Sequence, residues 1–145
     1  MSETREHERP AAGLLVNIDV DDLERGVRFY TEGLGLRVGR RFKERWIELV
    51  GRSSNLYLLE KKPGTRPAPG LDVTRSYERH WTPVHLDFVV ESLERARERV
   101  LAAGALLESD ISEHPYGRLA IFSDPFGHGL CLIEFNSQGY DAPGS

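Results

Sequence analysis

A histidine and an aspartate two residues apart are the first candidates for chemistry in this chain of 145 residues. His85 and Asp87 lie in the stretch VHLDFVV (84–90), where they alternate with apolar residues. This alternation predicts a strand with one apolar face, so both polar side chains belong to the opposite face. An imidazole, with its unperturbed pKa near ~6.5, can bind a metal, act as an acid or base, or serve only as a hydrogen-bonding group. The one cysteine, Cys131 in LCLIEF (130–135), is a further candidate as a ligand or nucleophile.

Composition and charge exclude several classes of function. The chain has 39% hydrophobic and 29% charged residues, as in an ordinary globular protein, and a formal net charge of -4 at pH 7. This acidic balance argues against nucleic acid as a partner, because phosphate binding needs a basic face. No apolar run approaches the ~20 residues that span a bilayer, and the polar N-terminus does not resemble a signal peptide. One cysteine allows no internal disulfide, so we expect a cytoplasmic protein without a membrane partner.

An internal repeat organises the chain. The sequence LERG (23–26) aligns with LERA (93–96), and upstream of them LLVNIDVDD (14–22) aligns with VHLDFVVES (84–92). Both upstream segments alternate apolar and polar residues in the same phase, which predicts two equivalent strands. The alignment therefore predicts one structural unit used twice.

A helix and three more strands follow each of these predicted strands. Asp21 or Asp22 can cap the first helix, Asp21 with Glu24 has the spacing of a capping box, and Ser92 can cap the second helix. The predicted unit is therefore βαβββ. The expected parts are a poorly ordered tail at 1–12, a first unit at 13–60, a linker at 61–83, a second unit at 84–136 and a second tail at 137–145.

Three stretches within this repeat resemble the vicinal oxygen chelate superfamily, the group of glyoxalases, bleomycin-resistance proteins and extradiol dioxygenases. They are VDDLERGVRFYTEGLGL (20–36), VHLDFVVESLERARERVLAAGA (84–105) and FSDPFGHGLCLIEF (122–135). The resemblance implies an α+β fold in which tandem βαβββ units form a cupped eight-stranded mixed sheet with helices on the convex face. It also implies a homodimer. Because the fold hosts lyases, dioxygenases and metal-free binding proteins, the residues of the site must decide the function.

The resemblance assigns four positions to the ligands of one divalent metal (Fe, Mn, Ni or Zn) in the metal-dependent members. These positions fall on Leu15, Tyr57, His85 and Cys131 in this sequence, and only His85 is a typical ligand of that family. Since a stable site usually needs three protein ligands, we expect no bound metal. The favoured interpretation of His85 is a pocket residue hydrogen-bonded to Asp87 or Tyr57. Its roles as a metal ligand or as an acid or base stay open as alternatives.

Strand parity places acidic and aromatic side chains on the face opposite the helices, here called the concave face. Carboxylates beside aromatic rings suit a cationic or aromatic ligand. We therefore expect a protein that binds or sequesters a drug or metabolite without a metal. The candidate ligand-binding residues are Asn17, Asp19, Trp46, Glu48, Tyr57, His85, Asp87, Arg118 and Cys131.

Other functions remain open beside this one. A glyoxalase-like lyase or dioxygenase centred on His85 would use a divalent metal as a Lewis acid. A metal-free enzyme would use His85 or Asp87 as its general base. No histidine is near Cys131 in sequence, and nothing in the spacing of His80 and His114 supports a second metal cluster with His85.

Overall fold

The computed structural model describes residues 13–43 and 45–145 and shows two units with the same order of elements. The first unit consists of β1 (Val16–Val20), α1 (Leu23–Arg28) with a π-helical extension (Phe29–Gly33), β2 (Arg37–Phe42), β3 (Trp46–Val50) and β4 (Leu56–Glu60). The second unit consists of β5 (Leu86–Val89), α2 (Leu93–Ala102), β6 (Leu106–His114), β7 (Gly117–Ser123) and β8 (Gly129–Phe135). A 3-10 helix (Gly139–Asp141) follows. The tail predicted at 1–12 lies outside the described residues.

The strands form two mixed sheets of four strands, in the orders β1-β4-β3-β2 and β5-β8-β7-β6. In each sheet the first strand pairs in parallel with the last, and the other neighbours are antiparallel. The predicted α+β fold of two βαβββ units is therefore confirmed. Within the described ranges no strand pairing joins the two sheets, and a cleft separates their edge strands β1 and β5.

One apolar core lies between the sheets and the helices and includes residues of both units. Val20 of β1 and Leu58 of β4 are fully buried there, and the alternation of side chains along a strand directs Asp19 and Tyr57 to the opposite, concave face. Gly26 lets α1 approach this layer, because a Cβ at that position would lie 3.2 Å from Leu58 Cδ1 and 3.3 Å from Val20 Cγ1. Burial of such side chains stabilises the fold by about 1.5–3 kcal/mol each.

Side-chain caps fix where the two helices begin. Asp22, and not Asp21, accepts a hydrogen bond from Arg25 N at 3.1 Å and caps α1. Ser92 accepts from Arg95 N at 3.3 Å and caps α2, as predicted. No described helix has the length and apolar character needed to cross a bilayer.

A second cap comes from the end of the last strand in each unit. Glu60 Oε2 accepts a hydrogen bond from Leu23 N at 3.0 Å, and Glu134 Oε2 accepts one from Leu93 N at 2.7 Å. Both carboxylates also meet the positive end of the helix dipole. In each unit a glutamate of the last strand therefore connects that strand to the helix: Glu60 connects β4 to α1, and Glu134 connects β8 to α2.

The two units are joined by side-chain packing near their helices. Tyr30 Oη donates a buried hydrogen bond of 2.6 Å to Asp124 Oδ2. The helices approach closely at Gly33, where a Cβ would lie 3.1 Å from the Cβ of Ala103. The inner edges of the sheets can therefore remain apart without separating the units.

The C-terminal segment 137–145, expected to be a poorly ordered tail, packs against the second unit. The ring of Tyr140 lies 5.2 Å from that of Tyr116 and 4.9 Å from that of Phe135, and Ala142 is buried. Its polar and glycine-rich composition concealed these aromatic contacts, which join residues distant in sequence.

Candidate functional site

Three side chains singled out in the sequence of the second unit lie together on the concave face. His85 Nε2 is 3.2 Å from Asp87 Oδ1, and one donor atom each of His85, Asp87 and Cys131 lie within 4.8 Å of one another. Asp87 pairs in register with Cys131 of β8, while His85 directly precedes the first residue of β5. Cys131 is buried, whereas His85 and Asp87 are partly open to solvent.

The Cys131 thiol is held in its protonated form. Burial raises the pKa of Cys131 to about 11, and the negative charge of Asp87 and a hydrogen bond to that carboxylate add to the rise. The thiolate, which is the nucleophile and metal ligand, is therefore a small fraction at neutral pH. The hydrogen bond of the thiol involves the Asp87 carboxylate, which argues against a cysteine–histidine nucleophile pair.

A cavity of about 440 Å³ opens beside this cluster on the second sheet. His85 and Cys131 border it together with Ile121 of β7, and the segment before β5 supplies Arg79 and Trp81. The surface of the cavity is mostly apolar, and its polar groups include the Arg79–Glu108 ion pair. A mostly apolar lining with a few polar groups is usual for a small-molecule site. Sequence reasoning missed Arg79 and Trp81, because they fall in the segment interpreted as a linker.

A second cavity of about 360 Å³ occupies the cleft between β1 and β5. Its border includes Asn17, Asp19, His85 and His128. A hydrogen bond of 2.7 Å joins His128 Nε2 to the backbone oxygen of Asp19, so the turn before β8 reaches across to the first unit. His85 borders both cavities and therefore lies where they meet.

Two of the three carboxylates expected to make the concave face acidic are paired with arginine. Asp19 Oδ2 accepts a hydrogen bond of 2.7 Å from Arg75 Nε. Glu48 binds Arg40 through two hydrogen bonds, Nη2 to Oε2 at 2.8 Å and Nε to Oε1 at 3.1 Å. These bonds outweigh burial and lower the pKa of Glu48 to about 2. Asp87 is left as the carboxylate of the three with no arginine partner in the described part of the chain.

Aromatic residues and Glu48 form a separate group on the first sheet. Trp46 stacks on Phe42 with ring centroids 3.7 Å apart, and its ring lies 5.7 Å from that of Tyr57. Tyr57 Oη donates to Glu48 Oε2 at 2.9 Å. The hydroxyl of Tyr57 is thus committed to Glu48 and not to His85.

Arg118, expected on the concave face, lies instead on the helix face of the second sheet. Its guanidinium donates to Glu94 of α2 and, at 2.8 Å, to Glu134 of β8. Arg118 directly follows the first residue of β7, Gly117, and has the parity of the core residues of that strand. His80 and His114 do not join His85, because the described residues hold one group with metal-binding spacing and it contains neither.

The four ligand positions implied by the family do not together fit a metal in this chain. Leu15 has no donor atom, and Tyr57 is hydrogen-bonded within the first unit. The smaller set of His85, Asp87 and Cys131 does fit in the number and kind of donor atoms, which lie within 4.8 Å of one another. Binding there would require the Cys131 thiol to lose its proton.

Comparison with known proteins gives a consistent result. A family model described as a glyoxalase-like domain matches residues 15–133. No curated protein matches the chain. A glyoxalase-related enzyme from Fulvimarina pelagi is similar in structure, with 21% identity over 86% of this chain and 88% of that one and a TM-score of 0.66.

Two further solved structures illustrate the range of similar proteins. Lactoylglutathione lyase from Agrobacterium tumefaciens has 17% identity over 88% of this chain and 96% of that one, with a TM-score of 0.58. A mutant fosfomycin resistance protein from Listeria monocytogenes, complexed with manganese and a dihydroxypropylphosphonic acid, has 16% identity, coverage of 90% and 94%, and a TM-score of 0.66. At these identities the likeness shows the fold alone.

Proposed function

Because the chain belongs to the glyoxalase-like domain family of the vicinal oxygen chelate superfamily, we propose that it binds an organic small molecule on the concave face without a resident metal. Such binding would sequester a drug or metabolite. The cavity of about 440 Å³ beside His85 and Cys131 carries the proposal. It has apolar walls and few polar groups, which suits recognition of an organic ligand.

The charges of the site refine the class of ligand. Glu108, the carboxylate that borders this cavity, is paired with Arg79, and Asp19 and Glu48 elsewhere on the concave face are paired with Arg75 and Arg40. These carboxylates are therefore poor partners for a cation. An exposed indole at Trp81 and the apolar side chain of Ile121 favour an aromatic body instead. We propose an aromatic ligand whose polar group is directed at His85, which borders this cavity.

A thermal-shift screen of aromatic compounds tests this function. Compounds that bind the native state should raise the melting temperature of the wild-type protein. The same compounds should lose most of this shift with Trp81→Ala and keep it with Tyr140→Ala, a matched removal of an exposed aromatic ring outside the cavity. An aromatic library that gives no stabilising compound, or shifts equally reduced in both variants, would contradict the proposal.

The donor cluster favours a second candidate function, a divalent-metal lyase or dioxygenase. His85, Asp87 and Cys131 would hold the metal, which when bound would act as a Lewis acid on oxygen atoms of the substrate. Metal analysis after purification with added Zn, Mn, Ni or Fe tests this candidate. A bound ion that His85→Ala removes and Leu15→Ala retains would support it, whereas wild-type protein without stoichiometric metal would exclude it.

Three further proposals rest on the sequence and the family. In a metal-free enzyme His85 or Asp87 would act as the general base, and turnover measurements distinguish this activity from simple binding.

A homodimer is supported by exposed apolar residues at the inner edges of the sheets, including Leu15 and Val84. Gel filtration with light scattering should then give twice the mass of one chain. A cytoplasmic location remains a prediction from the sequence.

A further inference from the structure

Three arginines border a polar cavity of about 390 Å³ outside the concave site. Arg95 and Arg99 lie one turn apart on α2, and Arg52 lies in the turn that joins β3 to β4. Glu91 and Ser92, at the start of α2, complete its polar wall. The cavity is therefore lined by residues from both units.

The guanidinium groups of Arg52 and Arg99 are positioned without being neutralised. Arg52 Nη2 donates to the backbone oxygen of Leu34 at 3.0 Å, and Arg99 Nη2 donates to that of Glu32 at 3.1 Å. Across residues 13–43 and 45–145, none of the three arginines of the cavity forms an ion pair with a carboxylate. Backbone carbonyls fix the direction of a guanidinium but leave its charge and its remaining donors available.

The local charge is strongly positive in a protein that is acidic as a whole. Three guanidinium groups and one carboxylate, Glu91, border the cavity, whereas the formal net charge of the chain is -4. Guanidinium groups bind phosphate, sulfonate and carboxylate in planar, two-pronged geometry. The chemistry of this cavity is therefore that of an anion site.

An apolar cleft of about 510 Å³ adjoins the arginine cavity. Arg52 and Val89 border both spaces, and the cleft is further lined by Leu14, Val16 and Phe88, with Asp87 as its one carboxylate. The guanidinium carbon of Arg52 lies 6.0 Å from the centre of the Phe88 ring. Val89 is 52% exposed, so the apolar surface is accessible at the junction of the two spaces.

We propose that these joined cavities bind an amphipathic organic anion. Its phosphate, sulfonate or carboxylate group binds Arg52, Arg95 and Arg99, and its apolar body lies in the cleft against Phe88 and Val89. The site is separate from the cavity beside Cys131. This proposal can therefore be tested independently of the function proposed above.

Fluorescence titration with anilinonaphthalene sulfonate, an aromatic anion that brightens when it leaves water, tests the arginine part. The wild type should show saturable binding that inorganic phosphate competes away. The double variant Arg95→Gln/Arg99→Gln should bind the dye about tenfold or more weakly, because two charge-assisted contacts are lost. The control Arg28→Gln/Arg97→Gln removes the same charge outside the cavity and should bind as the wild type does.

A variant of the apolar part completes the test. Val89→Ser should weaken dye binding and leave the competition constant of phosphate unchanged, and circular dichroism should confirm the fold of every variant. Trp81→Ala, in the concave cavity, should not change the dye binding that depends on Arg95 and Arg99. The proposal is overturned if the wild type shows no saturable binding, if the two double variants bind alike, or if Val89→Ser has no effect on the dye.

Discussion

The thiol of Cys131 lies between the carboxylate of Asp87 and the apolar strands of the second sheet. Burial and the negative charge of Asp87 act in the same direction, and together they raise the pKa of the thiol to about 11. The sequence places Cys131 at a ligand position of the family but does not reveal its burial or the charge beside it. At the scale of single residues, the surroundings therefore keep the Cys131 thiol uncharged, and the residue serves to line the cavity.

Replacing Asp87 should make Cys131 more reactive. Asp87→Asn removes the negative charge that disfavours the thiolate, so the pKa of Cys131 should fall part of the way towards its ordinary value while burial keeps it raised. The rate of alkylation by iodoacetamide, measured from pH 7 to about pH 10, should shift to lower pH. Asp110→Asn, a matched loss of charge outside the cluster, should not change the profile. An unchanged profile for Asp87→Asn would show that Asp87 does not influence the thiol.

The Arg40–Glu48 pair should stabilise the fold in a pH-dependent way. The pKa of Glu48 is lowered from 4.5 to about 2, so its contribution is present above pH 4.5 and is lost as the pH falls towards 2. Arg40→Gln leaves the Glu48 carboxylate with fewer donors and should lower the free energy of unfolding at pH 7. Urea denaturation at pH 7 and about pH 3 should show a smaller acid sensitivity for the variant than for the wild type. Equal sensitivity in both proteins would contradict this role.

At the scale of elements, a glutamate at the end of the last strand caps the helix of each unit. Glu60 also binds Arg45 through Nη2 at 2.8 Å, and hydrogen bonds from Arg45 and from Leu23 N lower the pKa of Glu60 to about 2. The carboxylate of Glu60 thus connects the end of β4, the start of α1 and Arg45.

Two substitutions should separate the parts of this cap. Glu60→Ala removes both interactions and should lower the free energy of unfolding by about 1–2 kcal/mol. Glu60→Gln should cost less, because an amide oxygen can still accept from Leu23 N while the largely exposed charge pair with Arg45 contributes little. Urea denaturation measures both, with the exposed Glu24→Gln as the control of charge. Equal losses for the two substitutions at Glu60 would contradict a capping role.

Local patterns predicted the elements well and their long-range partners poorly. Alternation predicted the strands that carry Asn17 and Asp87, and the cap at Ser92 was predicted from one residue type. The pairing of Asp19 with Arg75 was not predictable, because 56 positions separate them and no periodicity connects a strand to a loop. The face of Arg118 was misjudged because its partners, Glu94 of α2 and Glu134 of β8, are distant from it in sequence.

The candidate site was predictable in its centre and not at its borders. His85, Asp87 and Cys131 were all identified from the repeat and the family resemblance, and the structure brings them together. Trp81 was not identified, because a segment rich in proline and glycine before it indicated only a surface linker. Its place beside Cys131 depends on how that segment crosses the second sheet.

At the scale of the whole molecule, the two units depend on a few specific contacts between them. The buried hydrogen bond from Tyr30 to Asp124 connects the first helix to the turn before β8. Asp124 Oδ1 also accepts from the backbone N–H groups of Phe126 and His128, so one carboxylate holds the turn and the interface together.

Removing the hydroxyl of Tyr30 should weaken this junction. Tyr30→Phe keeps the ring but leaves Asp124 Oδ2 without its donor, and should lower the free energy of unfolding by about 1–3 kcal/mol. Tyr140→Phe, at a tyrosine that is 64% exposed, should cost much less. Urea denaturation of both variants measures the difference. Similar losses would show that the buried bond does not hold the units together.

In both units a glutamate of the last strand caps the helix, yet the residues that face the concave surface differ between the units. The first sheet presents Trp46 and Tyr57 with an arginine–glutamate pair, and the second presents His85 and Cys131 in contact with Asp87. A ligand that spans both sheets would therefore meet two unlike halves within a nearly symmetric frame. If such a ligand were turned end for end, each of its groups would meet the residues of the other sheet. Because the two ends of the site differ, the site should select one orientation of the ligand and, for a chiral ligand, one enantiomer.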